Sequence, residues 1–216
     1  MSLETRLHTV QDKIRTACKE AGRAPSEVRL IAVSKTRPAS AIETALQLGQ
    51  IHYGENYAQE LRDKVKVLGP SSDIIKWHYI GRIQRNKAKY IAPSAYRVHT
   101  LESVEQAEAL LKRASHGLDA LLAVNIGREP QKSGLDKHQI EDFYNQCVKL
   151  DLNIVGTMCL PPIGSEPEIY FSEMKKITNI LKINDISMGM SDDYLKAVEY
   201  SSTYLRIGSK IFGERS

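Results

Sequence analysis

No apolar run in this 216-residue chain approaches the roughly 18 residues needed to span a bilayer. Cysteine is scarce: Cys18, Cys147 and Cys159 are odd in number and share no C-x-x-C spacing. That excludes a disulfide framework and a zinc site as starting points and points to reduced thiols in a reducing compartment. His8, His52, His78, His99, His116 and His138 show neither H-x-x-x-H nor H-E-x-x-H spacing, so no metal-binding helix is expected. A Walker A loop and a G-x-S-x-G elbow are also missing. The opening stretch MSLETRLHTVQDKIRTACKEAG lacks the apolar segment of a secretory signal, and Glu4, Asp12 and Glu20 argue against a transit peptide. A cytoplasmic setting is the expectation.

Charge is close to balanced, with 30 Lys and Arg against 26 Asp and Glu, a net charge of +4. That modest excess permits an anionic ligand without demanding nucleic acid. The hydrophobic fraction of 42% and charged fraction of 26% are globular values, which sets aside disorder, collagen-like repeats and coiled coil. No Pro/Gly-rich linker breaks the composition, so residues 1–216 are expected to form one domain.

Leu3, Leu7, Val10, Ile14 and Ala17-Cys18 recur at spacings of three and four, which predicts an amphipathic helix ending near Gly22. Strand-like runs follow at 28–34, 51–53, 76–80, 97–99, 118–124, 153–158, 185–189 and 203–207. Amphipathic stretches separate them: one begins at Pro38 and Ser40, and others cover 59–67, 86–91, 104–113, 137–150, 167–181 and 192–199. Strict alternation means parallel strands joined by crossover helices. Eight such units predict an α/β fold, a single-domain (β/α)8 barrel of the TIM type preceded by an N-terminal helix. An open doubly wound sheet is the rival, but no G-x-G-x-x-G follows the first strand.

In such barrels the active site lies at the carboxyl ends of the strands. Lys35 ends the run Leu30-Ile-Ala-Val-Ser34 and is the only strand-end lysine. An amine drawn from a buried strand into a partly desolvated pocket loses some stability of its charged form. The neutral amine can then attack an aldehyde to form a Schiff base. The plainer alternative is a solvated lysine capping the strand.

Ser187-Met-Gly-Met-Ser191 and Arg206-Ile-Gly-Ser209 lie at the ends of strands seven and eight. Loops in those positions form the recurrent phosphate site of the barrel, where small residues let backbone N–H groups approach an anion. Asp192-Asp193 read better as helix-start residues than as paired catalytic acids. Arg206 places a charge in an apolar strand, which is costly without a partner. It would pair with an acid at the rim, or donate to a ring nitrogen and hold that nitrogen unprotonated.

The stretches Ala32-Val-Ser-Lys-Thr36, Gly54-Glu-Asn56, Trp77-His-Tyr-Ile-Gly81 with Gln84 and Asn86-Lys87, Lys132-Ser-Gly134, Ser187-Met-Gly-Met-Ser-Asp-Asp193 and Arg206-Ile-Gly208 with Phe212-Gly213 occur in this order. Together they make the chain resemble the pyridoxal phosphate homeostasis protein family, itself similar to the barrel domain of bacterial alanine racemase. The resemblance implies pyridoxal 5'-phosphate as cofactor, held as a Schiff base on Lys35. It further implies phosphate contacts from Ser191, Gly208 and Ser209, Arg206 facing the ring nitrogen, and Asn56 beside the ring. Roles for His78, Asn86 and Met158 are less directly implied. Gly156-Thr-Met158 departs from the family's Gly-Leu-Met, and Arg82-Ile83 are variant.

By that resemblance the protein is a carrier in vitamin B6 homeostasis, and its macromolecular partners would be apoenzymes that accept the cofactor. The alternative is a racemase, which uses a tyrosine from an additional domain of a partner subunit as its second base. Eight βα units use all 216 residues, so the carrier is favoured. Nucleic-acid binding is a third reading, through Lys76, Arg82, Arg85, Lys87 and Lys89 interleaved with Trp77, Tyr79 and Tyr90. A basic rim suits an anionic cofactor equally well, so nucleic acid is disfavoured. The sequence leaves the oligomeric state open, a monomer included.

Overall fold

Ser2 starts the first helix, its Oγ accepting the Thr5 N–H at 3.1 Å, a cap worth about 1 kcal/mol. The computed structural model describes residues 1–214, so Arg215 and Ser216, the end of the expected domain, lie outside the described residues. Helix α1 (Leu3–Glu20) buries Leu7, Val10, Ile14, Ala17 and Cys18, the expected face, against α8 (Tyr194–Glu199) and α9 (Ser209–Phe212). Burying each of the large aliphatics contributes about 1.5–3 kcal/mol.

Among the described residues eight parallel strands follow: β1 (Arg29–Val33), β2 (His52–Glu55), β3 (Lys76–Tyr79), β4 (Arg97–Leu101), β5 (Asp119–Val124), β6 (Asn153–Cys159), β7 (Asp185–Ser187) and β8 (Tyr204–Ile207). They pair in chain order and β8 pairs with β1, so the sheet closes and the open-sheet alternative is excluded. Between them run α2 (Ala39–Gln47), α3 (Ala58–Leu68), α4 (Ala88–Ile91), α5 (Val104–Leu111), α6 (Ile140–Lys149) and α7 (Pro167–Ile180), with α8 between the last two strands.

The main core lies between the outer face of the barrel and the helices, with Leu30, Ala32, Trp77, Val98 and Leu205 meeting Ile42, Leu61, Ile91, Leu110 and Phe171. Inside the barrel Leu121, Ala123 and Met158 form a separate apolar cluster. Beside the buried Ile31, much of the remaining interior is polar. At the amino ends of the strands Arg97 donates to Asp119 at 3.1 Å and to Asp185 at 2.5 Å, and also to the Tyr204 hydroxyl. These pairs close the bottom of the barrel.

Several boundaries differ from expectation. Strand β2 runs on through Gly54 and Glu55, because Glu55 is buried rather than set on the rim. Strand β7 stops at Ser187: the Met188 N–H and the Gly189 carbonyl still bond β8, but Gly189 adopts φ +93°, which ends the regular strand. Helices α6 and α8 start at Ile140 and Tyr194, with turns before them. A short 3-10 turn at Arg85–Lys87 precedes α4, and Ser209 opens a short helix that periodicity did not announce.

Candidate functional site

Closure decides which loops meet. With β8 hydrogen-bonded to both β7 and β1, and β1 to β2, the ends of four strands become neighbours: Ile31 pairs with Arg206, Val33 with Gly54, and Ser187 with Tyr204. The six residues singled out in the sequence, Lys35, Asn56, Ser191, Arg206, Gly208 and Ser209, all line one cavity of about 570 Å³. Its size suits a small molecule. Val33, Ile80, Leu160 and Met190 supply apolar wall, and Arg37, Asp192 and Glu214 lie at its edge.

Half-buried Lys35 sits in a braced turn. On one side, the Ser34 hydroxyl donates to Glu55 Oε1 at 2.6 Å, and the Ser34 carbonyl accepts from Lys64 Nζ at 2.7 Å. On the other, the Thr36 N–H donates to Glu60 Oε1 at 2.6 Å. Lys64 ties both acids together, donating to Glu55 and to Glu60 at 2.7 Å each. Thr36 has φ +62°, a left-handed conformation that costs a β-branched residue of order 1–3 kcal/mol, and the Glu60 bond helps hold it. Burial pushes the Glu55 carboxyl above its usual range, with Lys64 and Ser34 opposing.

Arg206 makes no ion pair with an acid among the described residues, which removes the rim-pair alternative. Its Nη1 donates to Ser187 Oγ at 2.6 Å and its Nη2 to the Cys159 carbonyl at 2.9 Å. Burial lowers its pKa, yet a guanidinium stays charged at neutral pH. Its remaining donors are available to the cavity it lines.

Two hydroxyls meet at the β7 and β8 ends, where Ser209 Oγ and Ser191 Oγ lie 3.1 Å apart. A side chain at Gly208 would bring its Cβ to 3.2 Å from the Val33 carbonyl, so glycine lets the β8 end lie close against β1. Asp193 turns its carboxylate back onto the Met190 N–H at 2.6 Å, shaping the loop before α8 rather than pairing with Asp192 in catalysis. Asn56 carries a buried Oδ1 with no partner among the described residues, an acceptor beside the cavity.

The less direct assignments fare differently. Met158 lines an adjoining cavity of about 380 Å³, together with Asn56, Thr100 and Asn125. His78 lies inside the barrel below the cavity, and Asn86 stands on the turn before α4. Of the aromatics in the basic stretch, Trp77 and Tyr79 are buried and cannot stack on bases. Tyr90 is left among Arg62, Lys87 and Lys89.

Sequence reasoning missed the Lys64 brace and a chain of histidines inside the barrel. The first had a signal: Lys64 shares a helical face with Ala58, Leu61 and Leu68, where a charge demands a buried partner. The second had a weaker one, a histidine in each of three successive strands.

Cys18, Cys147 and Cys159 are buried and unbridged, and burial pushes the Cys159 thiol up to about 12. No described helix is long and apolar enough to cross a membrane.

The chain matches the alanine racemase, N-terminal domain family over residues 6–216. It is 34% identical to a pyridoxal phosphate homeostasis protein of Haemophilus influenzae, covering all of this chain and 97% of that one. It is 36% identical to the protein of the same name from Escherichia coli, covering 97% and 95%. Its fold superposes on PipY of Synechococcus elongatus, solved with PLP bound, with a TM-score of 0.85, 29% identity and coverage of 98% and 100%. The chain therefore belongs to the pyridoxal phosphate homeostasis proteins, within the alanine racemase N-terminal domain family.

Proposed function

We propose that this protein binds pyridoxal 5'-phosphate at the mouth of its barrel and serves vitamin B6 homeostasis by holding and releasing the cofactor. One observation carries the reading: Lys35 from the amino-terminal part of the chain lines a single cavity of about 570 Å³ with the buried Arg206 and the Ser191 and Ser209 hydroxyls from the other end of the sequence. The residues fit the group. Asn56 offers an unpartnered buried acceptor that suits a ring hydroxyl. The apolar wall suits a planar ring, and the hydroxyl pair with the glycine-lined loop ends suits a phosphate. The relatives named for this cofactor support it.

When bound, the cofactor supplies an aldehyde that a lysine amine holds as a Schiff base. Lys35 is the residue for that attachment, with the Glu55–Lys64–Glu60 brace fixing the backbone on either side of it. Ser191, Gly208 and Ser209 hold the phosphate. Arg206, charged at neutral pH, presents a donor to the ring nitrogen and keeps it unprotonated, which weakens carbanion stabilisation by the ring. That electronic bias favours a carrier over a racemase. Residues 1–216 act in this as one unit, with apoenzymes that need the cofactor as recipients.

Equilibrium titration with pyridoxal 5'-phosphate, followed by mixing the loaded protein with an apoenzyme, tests the proposal. Saturable binding at one site and reactivation of the apoenzyme are expected. Absence of binding refutes the site, and steady turnover of an L-amino acid to its D form refutes the carrier role in favour of the racemase.

A further inference from the structure

A buried guanidinium with no carboxylate partner among the described residues needs another source of stabilisation, and the barrel interior supplies a continuous one. Ser187 Oγ, which accepts from Arg206 Nη1 at 2.6 Å, lies 2.8 Å from His99 Nδ1. His99 Nε2 lies 2.8 Å from His78 Nδ1, and His78 Nε2 lies 2.8 Å from His52 Nδ1. The chain crosses the barrel from β4 to β7 and descends through β3 to the first residue of β2. His78, His99 and Ser187 are fully buried.

The direction of every bond follows from the first. A guanidinium only donates, so Ser187 accepts from Arg206. Among the described residues the serine's own proton then has one partner within reach, His99 Nδ1; if Nδ1 carried a proton instead, the buried hydroxyl hydrogen would be left unsatisfied. His99 is thus protonated on Nε2 and donates to His78 Nδ1. His78 in turn is protonated on Nε2 and donates to His52 Nδ1. Each ring turns its acceptor nitrogen toward Arg206, so the bond dipoles are aligned to favour a positive charge at that end. Burial holds His78 and His99 well below their ordinary value, which keeps both rings neutral and able to accept.

We propose that His99, His78 and His52 are positioning residues that, through Ser187, stabilise the buried charge of Arg206 and hold its guanidinium aimed at the ring nitrogen of the bound cofactor. The inference rests on the cofactor site proposed above. A carboxylate in place of Ser187 would also stabilise the guanidinium, but it would draw charge away from the ligand. Neutral dipoles leave that charge for the ring.

Two measurements test it and keep its failure apart from that of the site. First, 15N–1H correlation spectra of the cofactor-free protein with labelled histidine report each ring's tautomer; all three are expected as Nε2–H. An Nδ1–H tautomer at His99 overturns the polarity. Second, H99F and H99N are compared with wild type for cofactor affinity, for the absorption maximum of the bound chromophore and for thermal melting. H99F, which cannot accept from Ser187, is expected to bind at least tenfold more weakly with a shifted absorption band. H99N keeps an acceptor at the Nδ1 position and is expected to recover most of both. H99F with wild-type affinity and spectrum overturns the proposal. Should H99F fail to fold, H99N decides with the same readouts: a loss as large as that of R206A, measured alongside, overturns it. Failure of wild type itself to bind refutes the cofactor site, while the tautomers remain an independent result.

Discussion

Lys64 donates from Nζ to the carbonyl oxygen of Ser34 at 2.7 Å, so a buried ammonium on α3 holds the backbone directly before the lysine of the proposed site. The same nitrogen bonds Glu55 and Glu60, whose other bonds reach the Ser34 hydroxyl and the Thr36 N–H. A turn strained at Thr36 is thereby held from two sides.

Replacing Lys64 by Met removes one partner of a buried pair and leaves Glu55 without its cation. Such a change costs about 3–5 kcal/mol. Urea unfolding of K64M should show a midpoint shifted down accordingly, and the double variant K64M/E55Q should regain part of the loss. A K64M midpoint equal to wild type would mean that the brace carries no stability.

The histidine chain gives stability a pH dependence. His52 is lowered to about 4 by burial and by the nearby Arg29, Arg97 and Lys76, and His78 and His99 lie well below their ordinary 6.5. As pH falls through 6.5 the unfolded chain takes up protons at these rings and the native state does not. The contribution is therefore complete above pH 6.5 and shrinks below it, for His52 down to about pH 4. For each of the two fully buried rings the slope approaches about 1.4 kcal/mol per pH unit. Melting temperatures from pH 7.5 to 5 should fall, and H78N should fall less steeply than wild type. Parallel curves for the two proteins would contradict this.

Gly208 lines the cavity of the proposed site and Gly81 the adjoining one, with different clearances. A Cβ on Gly81 would collide with the Asn56 carbonyl oxygen, backbone that cannot yield without moving the β2–α3 loop. At Gly208 the nearest atom, the Val33 carbonyl, is 3.2 Å away. G81A is expected to lose roughly 1–3 kcal/mol and to displace Asn56. G208A should lose less in stability. Thermal melts of the two variants decide it, and the reverse order would count against this account.

The barrel and its rim were legible because each of the chosen residues follows an apolar run or, for Arg206, interrupts one near its end, and the barrel rule converts sequence order into position. Register was less so: the charge of Glu55 made the end of β2 read as loop, although Ser34 and Lys64 let that carboxylate lie buried within the strand. The brace and the histidine chain were hidden for another reason. Lys64 meets Ser34 across a helix–strand contact, and His99 meets Ser187 only because the sheet closes. Neither contact has a periodicity to reveal it.

Capture of the cofactor by Lys35 is the central claim. Loading the protein with pyridoxal 5'-phosphate, reducing it with borohydride and mapping the modified peptide tests that claim most directly. A visible band that disappears on reduction, with the pyridoxyl mass on the peptide containing Lys35, is the expected result. A modification spread over surface lysines, or one that persists undiminished in K35A, would contradict it.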